Sequence, residues 1–261
     1  MATVEFSSLD WHNRYRLQST WTRSLRQYLY RQTGISSLRT ILDVGCGSGV
    51  LEAELAQETQ AVVAAVDLDE AILRLATLHA PGARFAQADG HHLPFRIGAF
   101  DLVICHFVLL WVADPLQVIR EMSRVGRPGA AVAAIAEPDY GGRIDYPTAL
   151  GALGEWQIQA LQAQGADPVL GRRLPSLFIQ AGLTNIEAGV LGGQWSAEKP
   201  TIDQEAERKM LEYDLAHLNS SQFEFSQLRE LKNLDTQAYQ RGERVLFVPT
   251  FYAWGRVPKA A

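Results

Sequence analysis

The chain has 261 residues, 47% of them hydrophobic and 20% charged, and a formal net charge of −5. That is enough chain to bury a large core without staples, as one α/β domain with an insertion or as two small domains. The acidic balance and the lack of any Lys/Arg block give no footprint for nucleic acid, and no apolar run approaches the ~20 residues of a membrane helix. Cys46 and Cys105 lack Cys-x-x-Cys spacing and fall in segments that read as interior. Both are expected to be small buried fillers in a reduced, cytoplasmic setting. Residues 1–10 have neither the basic flank nor the apolar core of a secretory signal.

Between 10 and 32, Trp11, Tyr15, Trp21, Leu25, Tyr28 and Leu29 recur at mostly helical spacing, with Arg14, Arg16, Arg23, Arg26 and Arg31 among them. This predicts one or two amphipathic helices with the arginines on a solvated face, stopped by Gly34. From Arg39 onward, short apolar runs alternate with helix-like segments. Strands are predicted at 40–44, 61–66, 83–87, 100–106 and 131–136, and helices at 49–58, 70–78 and 115–125. Asp114-Pro115 supplies an N-cap and a first-turn proline, and Pro128-Gly129 a turn. Apolar strands separated by helices mean a parallel sheet covered on both faces. Further along, 150–164 and 173–181 read as helices, 183–191 as a strand, 202–240 as a long polar helical stretch and 245–257 as a final strand.

The run Ile41-Leu42-Asp43-Val44-Gly45-Cys46-Gly47-Ser48-Gly49 carries the functional signal. A buried strand ends in an acid, turns on glycines and enters a helix. Glycine permits the sharp turn and lets a ligand approach main-chain atoms. Such a turn cradles a nucleotide cofactor in open α/β folds. Asp43, Asp67 and Asp89 end or follow the first three strands, with Asp67 lying 22 positions after Gly45. An acid at the second strand end can accept from both hydroxyls of a ribose, an acid after the third from an adenine amino group, and Leu68 can lie on the purine face. The nucleotide can belong to NAD or to S-adenosylmethionine. The glycines are spaced Gly-x-Gly-x-Gly rather than Gly-x-Gly-x-x-Gly. Asp43, Glu52 and Glu54 would repel a pyrophosphate, and can accept from the ammonium of a methionine moiety.

The segment Asp43–Gly49 closely resembles the first motif of class I S-adenosylmethionine-dependent methyltransferases. Val66-Asp67-Leu68-Asp69, Ala88-Asp89-Gly90, Phe100-Asp101-Leu102-Val103-Ile104-Cys105-His106 and Arg127-Pro128-Gly129 resemble their later motifs, with the ubiquinone/menaquinone C-methyltransferase branch nearest. The resemblance covers roughly 39–137. It implies a doubly wound, mostly parallel seven-stranded sheet with an antiparallel last strand, N-terminal helices and a helical insertion between the last two strands. It also implies S-adenosyl-L-methionine as cofactor, with S-adenosyl-L-homocysteine as product. Gly45 and Gly47 would lie on the methionine and ribose portion, Asp67 on the ribose, Leu68 on the adenine, Asp89 and Gly90 at the adenine edge, and His106 near the sulfonium. Asp69 stands where that branch often has a small hydroxyl residue, and is expected to cap a helix.

The organisation expected is a single methyltransferase domain: a helical cap at 1–38, a cofactor-binding half at 39–142, and a substrate-side half at 143–261 with a lid about 200–242. Tyr15 and Trp21 are candidates for closing over the methionine end, and one of the arginines near them for its carboxylate. His106, Glu137 and Tyr140 are candidate proton acceptors, with Asp139, Tyr213 and His217 behind them. His91 and His92 lack a partner at metal spacing, so no metal is expected, and a solvated loop is the reading for them. The acceptor would be a small molecule, with carbon, oxygen or nitrogen receiving the methyl group. No nucleic acid partner and no membrane span are expected, and the chain would act as a monomer or homodimer. A cofactor-binding regulator without transferase activity, and an NAD-dependent oxidoreductase, stand as alternatives.

Overall fold

A computed structural model describes residues 6–192, 201–218 and 225–259. Two helices come first, α1 (Ser8–Trp21) and α2 (Arg23–Thr33). Ser7 and Asp10 cap α1 reciprocally: Asp10 N donates to Ser7 Oγ at 3.2 Å and Ser7 N to Asp10 Oδ2 at 3.0 Å. Gly34 ends α2 in the left-handed region, as its place after the last periodic residue predicts.

Strands and helices then alternate through β1 (Thr40–Val44), α3 (Val50–Glu58), β2 (Val62–Asp67), α4 (Glu70–His79), β3 (Arg84–Gln87), β4 (Phe100–Cys105), α5 (Pro115–Val125) and β5 (Gly126–Pro138). Asp69 caps α4 by accepting from Ala71 N at 2.7 Å, and Asp114 caps α5 by accepting from Gln117 N at 3.0 Å. The rest comprises β6 (Ile144–Tyr146), α6 (Gly151–Ala163), α7 (Leu174–Gln180), β7 (Thr184–Leu191), α8 (Thr201–Leu215), α9 (Phe225–Gln240), β8 (Val245–Phe247) and β9 (Thr250–Arg256).

The main sheet has seven strands in the order β3-β2-β1-β4-β5-β9-β7. β1 to β5 are mutually parallel, and β9 runs antiparallel to both β5 and β7. Successive residues of a strand face opposite sides, so Ile41 and Leu42 enter two different cores. Leu42, Val103, Val132, Met122 and Phe178 pack on one face, and Ile41, Leu29, Leu55, Leu102 and Ile135 on the other. From β1 the chain winds outward to β2 and β3, then returns to place β4 on the other side. The carboxyl ends of β1 and β4 therefore flank the point where strand order reverses, where open α/β sheets bind ligands.

Four expectations need correction. The strand predicted at 245–257 is two strands. Pro249 lacks an N–H, and the chain changes partner around it: β8 pairs with β6 in a separate two-stranded sheet and β9 joins the main sheet. The helical stretch predicted at 202–240 is two helices, α8 and α9, with 219–224 outside the described residues. The turn at Pro128-Gly129 lies inside β5, as an irregularity where the β4–β5 register shifts and Gly129 takes φ 82°. The arginines of α1 and α2 do not all face solvent: Arg26 is 1% exposed, and the Arg14 side chain 9%.

Candidate cofactor and acceptor cavity

The turn after β1 is shaped by three left-handed glycines, Gly45, Gly47 and Gly49, at φ 77°, 54° and 79°. A Cβ on Gly45 would stand 2.4 Å from Val108 Cγ2, and one on Gly47 2.8 Å from Tyr15 Cε2. No larger residue fits at either position without displacing its neighbour. Gly45 N and Cys46 N both donate to Val66 O, at 2.7 and 3.0 Å, which ties the turn to β2. Asp67 completes it: Oδ2 accepts from Gly47 N at 2.8 Å and Oδ1 from Asp69 N at 3.0 Å. Leu68, beside it, is 63% exposed, an apolar face left open next to an oriented carboxylate.

Asp43 and Glu52 meet beneath this turn, and both are buried. Asp43 Oδ1 and both oxygens of Glu52 meet no other donor among the described residues, so the bond open to them is the one they make with each other. Burial pushes Asp43 up to about 7. Glu52 is raised well above the usual carboxylate range by its own burial and by the negative Asp43. Two adjoining carboxylates cannot both stay charged out of water, so the pair retains a proton. Asp43 lines the cavity and Glu52 does not. Asp43 thus brings to the cavity wall a carboxyl whose partner is Glu52, and a cationic donor such as the ammonium of an amino acid favours its ionised form.

Asp89 Oδ1 accepts from His91 N at 2.9 Å and bonds His91 Nδ1 at 2.7 Å. Those bonds hold the Asp89 carboxyl below the usual range. His91 is therefore a tied member of the loop, and its Nε2 accepts from Asp114 N at 3.2 Å. Asp89 and Gly90 line the cavity, as do Gly45, Gly47, Asp67, Leu68, His106, Tyr15, Trp21 and Tyr140.

Two of the candidate proton acceptors are otherwise engaged. Glu137 is fully buried and does not line the cavity. Its carboxyl accepts from Val108 N at 3.0 Å, Leu109 N at 2.8 Å and Leu110 N at 3.1 Å, so it anchors the loop after β4. Burial pushes it up to about 7 against those three donors. His106 does line the cavity, but its Nε2 lies 3.0 Å from Thr22 Oγ1. Arg26 Nη1 donates to that same hydroxyl, whose own proton has Ser19 O at 3.4 Å and Gln18 O at 3.5 Å as acceptors besides the ring. Burial, with the Arg26 charge behind it, pushes His106 down to about 3, so the ring is neutral and its Nε2 engaged by Thr22. Asp139 is held by Arg172, and His217 is exposed, with Nδ1 bonded to Tyr213 O at 3.0 Å.

One cavity of about 840 Å³ runs from this turn to a second chamber under α8 and α9. α1 forms part of its wall. The Tyr15 ring covers Gly47 and stacks on Trp11 at 5.9 Å, and Arg14 lies 5.0 Å over the Trp21 ring. Arg14 Nη1 donates to Glu207 Oε1 of α8 at 2.7 Å, while its buried Nε has no partner among the described residues. In the far chamber Asp214, also on α8, is 1% exposed. Its Oδ2 accepts from Gln157 Nε2 at 2.8 Å and its Oδ1 from Gln164 Nε2 at 3.3 Å. Burial pushes Asp214 up to about 6, against those two amides. Arg143 Nη1 donates to Gln157 Oε1, and Asp145 receives both Arg143 Nε at 2.6 Å and Arg244 Nη2 at 2.7 Å. Asp214, Arg143 and Arg244 are absent from the sequence reading as site residues, and Arg14 enters it only as one of the arginines that could meet a carboxylate. An acid within a polar helix reads as solvated, and only Tyr213 and His217 drew notice there.

Comparison with known proteins agrees with this geometry. Residues 42–134 match the methyltransferase domain family. That match runs from β1 to β5 with the helices between them. The chain is 34% identical over 127 residues to methyltransferase GfsG of Streptomyces halstedii, covering 46% of this chain and 45% of that protein. It is 37% identical over 99 residues to the ubiquinone biosynthesis O-methyltransferase of Pseudomonas paraeruginosa, covering 36% of this chain and 42% of that one. The chain thus spans under half the length of these relatives. In fold it is similar to Haemonchus contortus phosphoethanolamine N-methyltransferase 2 in complex with S-adenosyl-L-methionine. There the TM-score is 0.56 at 16% identity, over 86% of this chain and 50% of that one.

Proposed function

We propose that the chain is an S-adenosyl-L-methionine-dependent methyltransferase acting on a small-molecule acceptor, as a single unit in which residues 143–259 form the substrate side. The observation that carries this reading is the carboxyl pair of Asp43 and Glu52, with Asp43 at the cavity wall, beneath a turn whose Gly45 and Gly47 leave no room for a Cβ. A methionine ammonium suits that acidic pair, and a pyrophosphate does not. Asp67 holds the ribose hydroxyls and Leu68 the purine, with Asp89 and Gly90 at its edge. Tyr15 and Trp21 close over the methionine end. The O-methyltransferase relatives support a small, non-polymeric acceptor. That the two cysteines are free and buried fits a reduced, cytoplasmic setting. Among the described residues no helix is long and apolar enough to cross a membrane.

The cofactor supplies an electrophilic methyl group, and the protein supplies position and dryness. Asp43 would hold the methionine portion and Asp67 the ribose, which would leave the methyl group to be offered to an acceptor in the same cavity. α1 and α8 keep water from a centre whose charge disperses as the methyl group moves. Calorimetric titration with S-adenosylhomocysteine and, separately, NADH tests the reading. We expect S-adenosylhomocysteine to bind and NADH not to. Tight NADH binding with no response to S-adenosylhomocysteine sinks it.

A further inference from the structure

The far chamber specifies the kind of atom that receives the methyl group. Asp214 is one of its few acidic groups, and its carboxylate is held by two amides, Gln157 on α6 and Gln164 at its C-terminal cap. Those amides satisfy one lone pair on each oxygen and leave acceptor capacity on the carboxylate. Arg14, from α1, presents a buried Nε–H with no partner among the described residues, and lines the same cavity. A carboxylate to take a proton beside an N–H to hold an oxygen suits a hydroxyl acceptor. An amine nucleophile would meet that N–H with no lone pair to spare once it attacks.

Resting on the methyl-transfer reading, we propose that Asp214 is the general base for a hydroxyl acceptor, phenolic or enolic, whose oxygen is held by Arg14 Nε–H. The hydroxyl O–H bond breaks and its proton passes to the Asp214 carboxylate. The oxygen lone pair forms a bond to the methyl carbon, and the carbon–sulfur pair stays on sulfur, which becomes a neutral thioether. The proton then leaves Asp214 for solvent.

The titratable groups that act on Asp214 are Arg14 on α1, Tyr140 after β5, and Tyr213 and His217 on or just after α8; Arg143 and Glu207 act in turn on Tyr140. Burial pushes Tyr140 above the ordinary tyrosine range, with negative Asp214 adding to the rise, so Tyr140 stays protonated and does not compete as a base. Asp214, at about 6, is ionised at neutral pH yet basic enough to take a proton.

The test compares the wild type with Asp214→Asn, Asp214→Glu and Arg14→Lys, the last keeping the charge opposite Glu207 but not the Nε donor. S-adenosylhomocysteine formation is followed with catechol, a hydroquinone, an enolic β-diketone, benzylamine and a tertiary-carbon β-ketoester. S-adenosylhomocysteine binding is measured by calorimetry, and folding by circular dichroism. In the wild type, turnover falls on the hydroxyl compounds and declines below about pH 6. Asp214→Asn lowers kcat on them by about 10²–10⁴-fold and abolishes that acid limb, with cofactor affinity within about two-fold of wild type. Asp214→Glu restores part of kcat, and Arg14→Lys raises KM for the hydroxyl compounds. Retention of kcat and of the acid limb in a folded Asp214→Asn overturns the proposal. So does turnover confined to the amine or carbon compounds, or none at all while S-adenosylhomocysteine binds. Failure of S-adenosylhomocysteine to bind the wild type overturns instead the reading on which the proposal rests.

Discussion

Asp67 takes two backbone N–H donors with one carboxylate, and each donor comes from a different side of the cradle. It orients the glycine turn as well as offering acceptors to a ribose. Replacing it by alanine removes charged hydrogen bonds, worth about 1–3 kcal/mol. Asp67→Ala is expected to weaken S-adenosylhomocysteine binding by that amount in calorimetry. An unchanged dissociation constant would remove the ribose assignment. Asp89 is a different case, because Oδ1 is already spent on His91 and the loop has its own reason to keep an acid there. Residue type alone could not separate these two aspartates. What separates them is which atoms already have partners.

At the scale of elements, α2 is pinned to α3 by one buried guanidinium. Arg26 Nε and Nη2 reach Glu54 at 2.8 and 2.5 Å, and Nη1 donates to Ser19 O at 2.8 Å and to Thr22. Arg26→Met keeps most of the volume and strands these acceptors. A buried pair broken on one side costs about 3–5 kcal/mol. Glu54 keeps some access to water, which brings the expected cost to roughly 2–3 kcal/mol and a fall in Tm of several degrees. A melting curve superimposable on wild type would show that the pin is not a structural tie. The elements from β1 to α5 were legible because their periodicity, caps and turn glycines all agree. Those after Tyr140 were less so. The partner change around Pro249 and the ribbon of β6 with β8 depend on pairings across about a hundred residues, which no local pattern records. The burial of Arg14, Arg26 and Asp214 was hidden for a related reason. A charged residue on a helix reads as solvated until the fold supplies the group that buries it.

For the whole molecule, the buried acids set a pH dependence. Asp43 and Glu137 both lie at about 7 in the folded protein, against about 4 in an unfolded chain. The folded state therefore holds protons that the unfolded chain has released. Their contribution to stability is complete below about pH 4 and is lost as pH rises through about 7. The Tm of the ligand-free protein is expected to fall between pH 5 and 8. Binding an ammonium beside Asp43 favours the ionised carboxyl, so S-adenosylhomocysteine should bind more tightly over the same rise and release a proton. Calorimetry in buffers of different ionisation enthalpy measures that release, and a pH-independent affinity with no proton exchange would rule it out.

The bond between Arg14 and Glu207 joins the first helix of the chain to an insertion far along it, and neither belongs to the main sheet. The tie across the cavity is part ionic and part aromatic, since Phe6 and Trp11 also meet the Tyr213 ring edge-on at 4.7 and 5.3 Å, and it spans two segments that no strand fastens. With its guanidinium out of water, the clasp should hold at ionic strengths that dissolve pairs on the surface.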